Sequence, residues 1–330
     1  MSQKLKQVLN EWLDAFLLDL ERRNYSPRTT RTYRYDLLLF TNWVGEQAKI
    51  KAPGDLVGAV LEEYQLHLML RSPLRKLHAQ PRPLSANVRN RHLAGLRSFF
   101  RYLKRTCRLL SNPAADLEAV REPKRLPRAI LSVPEMSRLL GAIDTDTASG
   151  LRDRAALELL YGVGLRRFEL QNLDLPHLRL GEELLYVMGK GGKERILPLG
   201  RAATRAVERY LQHGRPLLAK EHTQALLVSS YHGGRLSGTE LILSLRKYVK
   251  QVGIKKYISF HLFRHTCATH LLRGGADLRA IQTLLGHSKL STTAIYTRVE
   301  VTDLKKTLRR CHPRETDSNH APPIDGPEIS

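Results

Sequence analysis

The chain has 330 residues, enough for two domains that each bury a core of their own. No apolar run approaches the roughly 18–20 residues needed to span a bilayer, and three scattered cysteines (Cys107, Cys267, Cys311) make neither a disulfide framework nor a zinc cluster. Lys and Arg total 54 against 32 Asp and Glu, a formal charge of +22, which favours a polyanionic partner such as nucleic acid.

The start, Met1-Ser2-Gln3-Lys4, leads into amphipathic sequence rather than an apolar signal core, so a cytoplasmic protein is expected. From Lys6 to Leu20 apolar residues recur close to the helical period, at Val8, Leu9, Trp12, Leu13, Phe16 and Leu17. Ser26-Pro27 is a cap followed by a first-turn proline and opens a helix to about Gly45. Asp55 is expected to cap a third helix, to about Arg71, before Pro73, Pro81 and Pro83 mark a loop. Ser85 then caps a fourth helix from Ala86 to about Thr106. Its stripe of Leu93, Leu96, Phe99, Phe100 and Leu103 is a core face, and Arg89, Arg91, Arg97, Arg101, Lys104 and Arg105 are candidates for phosphate contact on the other faces. From Arg71 to Arg108 eleven basic residues occur and no acidic one, so the positive charge is concentrated here.

A proline-spaced basic linker, residues 121–128, contains Lys124 and Arg125, and two prolines four apart hold it extended. It separates a helical domain, 1–120, from a second domain, 129–312. The second opens with a capping box, Ser132 and Glu135, and helices follow near 132–142 and 151–162. Leu184 to Met188, the turn Gly189-Lys190-Gly191-Gly192, and Glu194 to Pro198 predict a β-hairpin. Helices are expected near 201–213, 238–252, 261–273, 277–286, 292–298 and 302–311, and the acidic stretch 313–330 is expected to be disordered. The fold class is therefore mainly α, with a mixed α/β second domain holding a small sheet.

Five segments stand out in the second domain: Gly164-Leu165-Arg166 with Glu169, the lysine turn, His261-Leu262-Phe263-Arg264-His265, Leu284-Leu285-Gly286-His287, and Ser291 to Tyr296. In this order and spacing the sequence resembles the tyrosine recombinase (phage integrase) family, most closely its Xer-like (XerC/XerD-type) branch. The likeness extends over nearly the whole chain, and it implies that residues 1–120 form a SAM-like core-binding domain and 129–312 the DNA breaking-rejoining domain.

The resemblance implies a site-specific recombinase that cuts DNA through a 3′-phosphotyrosyl intermediate and exchanges strands through a Holliday junction. Tyr296 matches the nucleophile, and Arg166 and Arg264 match the two catalytic arginines. The chemistry suits these residue types. Attack on a phosphodiester raises its charge from one toward two, and fixed guanidiniums stabilise that increment more than the ground state. His261, three residues before Arg264 on the same helix face, is implied to assist proton transfer. His287 is implied to donate a hydrogen bond to the phosphate. Lys190 matches the general acid for the leaving 5′-hydroxyl, with Lys193 as a nearby rival. Glu169 is placed to orient Arg166 from behind.

No metal or nucleotide cofactor is expected, since the tyrosyl ester conserves the energy of the broken bond. The lysine turn is no P-loop, because Glu194 stands where Ser or Thr would follow. The implied partners are a double-stranded recombination site and further copies of the chain, four on two sites around a clamped duplex, with or without a second recombinase and with no membrane; the implied location is the nucleoid. Alternatives are a type IB topoisomerase, which relaxes DNA without exchanging partners, and a non-catalytic basic DNA-binding protein. Phe168 departs from the small residue usual in the family and is expected to alter packing behind Arg166. The 34 residues after Tyr296 exceed the usual length, which favours a mobile-element integrase. Within them Val301 to Cys311 is the candidate segment for docking on a neighbouring protomer.

Overall fold

The structure is a computed structural model and describes residues 2–70, 83–121, 130–189, 194–220, 222–286 and 298–316. The chain forms two compact units, Met1–Arg125 and Leu126–Ser330.

In the first unit, α1 (Ser2–Arg22), α2 (Pro27–Glu46), α3 (Gly58–Leu70) and α4 (Ala86–Arg105) pack around one apolar core. The caps are where local chemistry puts them. Ser26 Oγ accepts from the Thr29 amide at 3.2 Å, and Ser85 Oγ from that of Val88 at 3.4 Å. Phe16 meets Phe99 edge-on at 5.6 Å and Phe40 meets Phe100 at 5.8 Å, which ties α1 and α2 to α4. Asp55 departs from expectation. Its carboxylate reaches back to the amides of Lys51 and Ala52 at 2.8 and 2.9 Å, closing the short turn Pro53–Asp55, so α3 starts only at Gly58.

In the second unit, α5 (Val133–Gly141) carries the expected capping box, with the Ser132 amide 2.7 Å from Glu135 and the Glu135 amide 3.2 Å from Ser132 Oγ. Helix α6 (Ala148–Gly162) is buried on almost every side and is the centre of the unit. A short α7 (Arg167–Gln171) leads to an antiparallel sheet ordered β1 (Leu178–Arg179), β2 (Leu184–Met188), β3 (Glu194–Pro198). The hairpin register pairs Leu185 with Leu197 and Val187 with Arg195, and all four side chains face the core. The predicted helix near 201–213 divides into α8 (Arg201–Arg209), a wide π turn over Tyr210–Gly214, and α9 (Arg215–Leu218). Pro216 explains the break: its ring would meet the carbonyl one turn back, and the wider turn makes room.

Helices α10 (Gly238–Gln251), α11 (Phe260–Arg273), α12 (Leu278–Leu285), α13 (Arg298–Cys311) and α14 (Pro313–Thr316) complete the unit. The segment singled out for docking on a neighbour lies in α13, which packs against β3, α11 and α12 of its own subunit. Leu304 and Leu308 are buried there, and Arg309 pairs with Glu183 at 2.9 Å. The start of the acidic stretch expected to be disordered is also ordered. Glu315 accepts from the Ala202 amide at 3.2 Å, supplying the side-chain cap that Gly200 does not give α8, and Arg314 pairs with Glu158 at 2.7 Å. Residues 317–330 lie outside the described residues. Among the described residues no helix is long and apolar enough to cross a membrane.

Candidate active site

Three separate segments meet at the C-terminal end of α12. The first is the turn out of α6, where Gly164 has a φ of +64° and an added Cβ would lie 2.5 Å from Leu285 Cδ2. A glycine is required there by both conformation and space. The turn delivers Arg166 to the N-cap position of α7. Glu169, in the first turn of α7, then does two jobs. Its carboxylate accepts from the Arg166 amide at 2.8 Å and from Arg166 Nη1 at 2.7 Å, so it caps the helix and aims the guanidinium. Arg166 Nη2 donates to the Gly286 carbonyl at 2.6 Å.

The second segment is α11. Arg264 Nη1 donates to the Gly164 carbonyl at 2.7 Å and Nη2 donates to that of Leu285. Both candidate arginines therefore rest on the negative end of α12, whose last carbonyls lack helical partners. Burial lowers the Arg264 pKa to about 10, and the neighbouring Arg166 guanidinium adds to the effect. It stays protonated at neutral pH, but at a cost that an anion placed between the two would relieve.

The third segment is β3, which supplies Arg195. It holds Glu169 with a two-pronged contact, Nη1 to Oε1 at 2.8 Å and Nη2 to Oε2 at 2.9 Å. Burial alone would raise the Glu169 pKa, but the Arg195 fork and its charge, then Arg166, outweigh it and bring it down to about 2. Three guanidiniums thus surround one carboxylate, and the cluster keeps an excess of positive charge. Arg166 presents it outward, with 37% of its side chain exposed.

The remaining expected site residues fall into two groups. His261 lies on α11 with Arg264 and is exposed. Lys190, Lys193, His287 and Tyr296 lie outside the described residues, as do Lys124 and Arg125. Phe168 does not alter the packing behind Arg166, because its side chain points to solvent at 72% exposure.

On α4 the six candidate cations are not equivalent. Arg91 is held in a fork by the buried Asp36, both hydrogen bonds at 2.9 Å, and Arg105 is paired with Asp19 at 2.7 Å. Among the described residues no ion pair engages Arg89, Arg97, Arg101 or Lys104, and the last two are exposed.

Sequence reasoning missed Arg195. The signal for it was a charge at a core-facing position of an alternating strand, which calls for a buried partner.

Comparison with known proteins agrees with this layout. The phage integrase family profile matches residues 130–302, and the profile for the phage integrase N-terminal SAM-like domain matches 13–106. The chain is 40% identical over 307 residues to tyrosine recombinase XerC 2 of Ralstonia nicotianae, covering 93% of this chain and 86% of that one. It is 36% identical over 313 residues to tyrosine recombinase XerD of Listeria innocua, covering 93% and 100%. Among solved structures it resembles a lambda integrase dimer bound to a COC′ core site, with a TM-score of 0.61 and 19% identity over 85% of this chain and 95% of that one. XerH bound to its difH substrate is similar in fold, with a TM-score of 0.61 and 20% identity over 92% and 84%.

Proposed function

The chain belongs to the phage integrase family as a site-specific tyrosine recombinase, and from that premise we propose that it cleaves DNA with Tyr296 under the charge of Arg166 and Arg264. The observation that supports this most is the convergence of those two guanidiniums, from segments far apart in the chain, on one helix end with positive charge in excess. That is the arrangement a phosphate passing from one negative charge toward two requires.

In the proposed step the Tyr296 oxygen attacks phosphorus and gives up its proton with help from His261. The bond from phosphorus to the 5′-oxygen breaks, and that oxygen takes a proton from Lys190. His287 holds a non-bridging oxygen. A 5′-hydroxyl from a second duplex then attacks the tyrosyl ester, the bond from phosphorus to the tyrosine oxygen breaks, and the phenol regains its proton. No net bond energy is lost, so no nucleotide is consumed. Arg89, Arg97, Arg101 and Lys104, which no ion pair engages among the described residues, are the α4 cations best placed to hold DNA phosphates, and Lys124 and Arg125 add to that charge. Four copies on two sites, exchanging strands in pairs at the nucleoid, give recombination. The same chemistry serves integration, excision or dimer resolution.

The test is a nicked trapping substrate, in which the cut strand loses the nucleophile needed for resealing. Wild type should accumulate a covalent protein–DNA adduct, and Tyr296→Phe should bind the same DNA without forming one. An adduct with the phenylalanine variant would remove the assignment.

A further inference from the structure

Strand β3 pairs with β2 so that Val187 and Arg195 face inward together, with Arg195 only 6% exposed. A buried arginine at a strand position otherwise suited to an aliphatic residue is costly unless its charge is paired. Here it touches two of the groups that hold Arg166. Its fork grips both oxygens of Glu169, which holds the Arg166 guanidinium and amide. Its side chain also lies beneath Gly286, whose carbonyl accepts from Arg166. A Cβ added at Gly286 would meet Arg195 Cζ and Nε at 3.1 Å, and the residue's φ of +62° makes any substitution there strained.

We propose that Arg195 is a positioning residue for strand cleavage. By holding Glu169 from one side and bracing the Gly286 turn from the other, it fixes the direction of the Arg166 guanidinium and prevents Glu169 from neutralising it. The inference rests on Arg166 acting at the phosphate. Without Arg195, Glu169 would have Arg166 as its remaining guanidinium partner. That pair would tighten, and less of the Arg166 charge would be available to the transition state.

Arg195→Met removes the fork and Arg195→Lys keeps a buried cation without it. At saturating nicked DNA, adduct formation by Arg195→Met should slow on the order of 10- to 100-fold, by analogy with the loss of a residue that orients a metal ligand, with the dissociation constant for DNA unchanged. Its pH–rate profile should gain an acid limb, because Glu169 loses its strongest stabilising partner and titrates closer to the ordinary carboxylate range. Arg195→Lys should show a smaller loss and no new limb. If the Met variant does not fold, the Lys variant decides by its rate. A wild-type rate in the Lys variant, or a Met variant whose loss of rate matches its unfolded fraction and whose pH profile is unchanged, would overturn the proposal. Arg166→Ala run in parallel isolates the premise. If it too cleaves normally, the role of Arg166 fails. If it is inactive while the Arg195 variants are normal, only the role of Arg195 fails.

Discussion

The two units both use arginine–carboxylate forks, but for opposite ends. On α4, Arg91 closes on a buried Asp36, one guanidinium to one carboxylate, and Arg105 closes on an Asp19 that Arg23 also meets at 3.5 Å, so α4 is tied to α2 and α1. At the end of α12, Arg166 and Arg195 share Glu169, and Arg264 stands beside them held by carbonyls alone. A matched pair serves stability, whereas a deliberate shortage of carboxylate stores a field for a phosphate to discharge. Counting basic residues along the chain therefore says less than counting the partners each one has.

Breaking the unmatched cluster should have the largest effect. Arg264→Ala or Arg166→Ala should slow adduct formation by roughly 10²-fold or more, the scale for losing one donor to a developing anion. Binding to the intact site should weaken far less, as read by a mobility shift. The α4 cations divide the other way. Arg101→Ala or Lys104→Ala should weaken binding across sequences and reduce the salt slope by about one for each phosphate no longer neutralised, leaving stability alone. Arg91→Ala should instead leave Asp36 buried with its fork gone and lower unfolding free energy by about 1–3 kcal/mol, with little change in salt slope. Equal behaviour of Arg91 and Arg101 in both assays would erase the distinction between matched and unmatched cations.

What could be read in advance follows the range of the interactions. Ser26, Ser85 and the Ser132–Glu135 box act within three residues, and the helices they open are where local chemistry predicts. Arg166 and Arg264 were legible through motif spacing, and so was Glu169, because its partner is a near neighbour on the same turn. Arg195 was not, since its meaning lies in a carboxylate 26 positions earlier that only the sheet register brings to it. Asp55 had two helix ends within reach, and the backward one won. Glu315 and Arg314 looked like solvated tail charges because the α8 amide and the Glu158 carboxylate that engage them are more than a hundred residues away.

The smallest expected effect concerns how that last turn is held, and it contrasts a neutral buried contact with the charged ones above. His312 is buried, with Nε2 3.2 Å from the Tyr161 carbonyl and Nδ1 accepting from the Arg314 amide at 3.2 Å. Those partners fix a neutral ring, and burial, with smaller repulsion from His270 and Arg314, lowers its pKa from 6.5 to about 3. The unfolded chain takes up this proton below about pH 6.5 and the folded chain does not until about 3, so stability present above 6.5 falls as the pH drops through that window. Glu169, held at about 2 against an ordinary 4.5, loses its contribution only below 4.5, while burial raises Asp153 and gives it the opposite sign. The difference between wild type and His312→Gln between pH 6.5 and 5 is therefore the clean measure, because glutamine can keep a donor and an acceptor without titrating there. Melting curves of the wild type should shift down more steeply over that interval than those of the variant. Parallel curves would mean that His312 takes up its proton without leaving its place, and that the C-terminal turn is held by Arg314 and Glu315 instead.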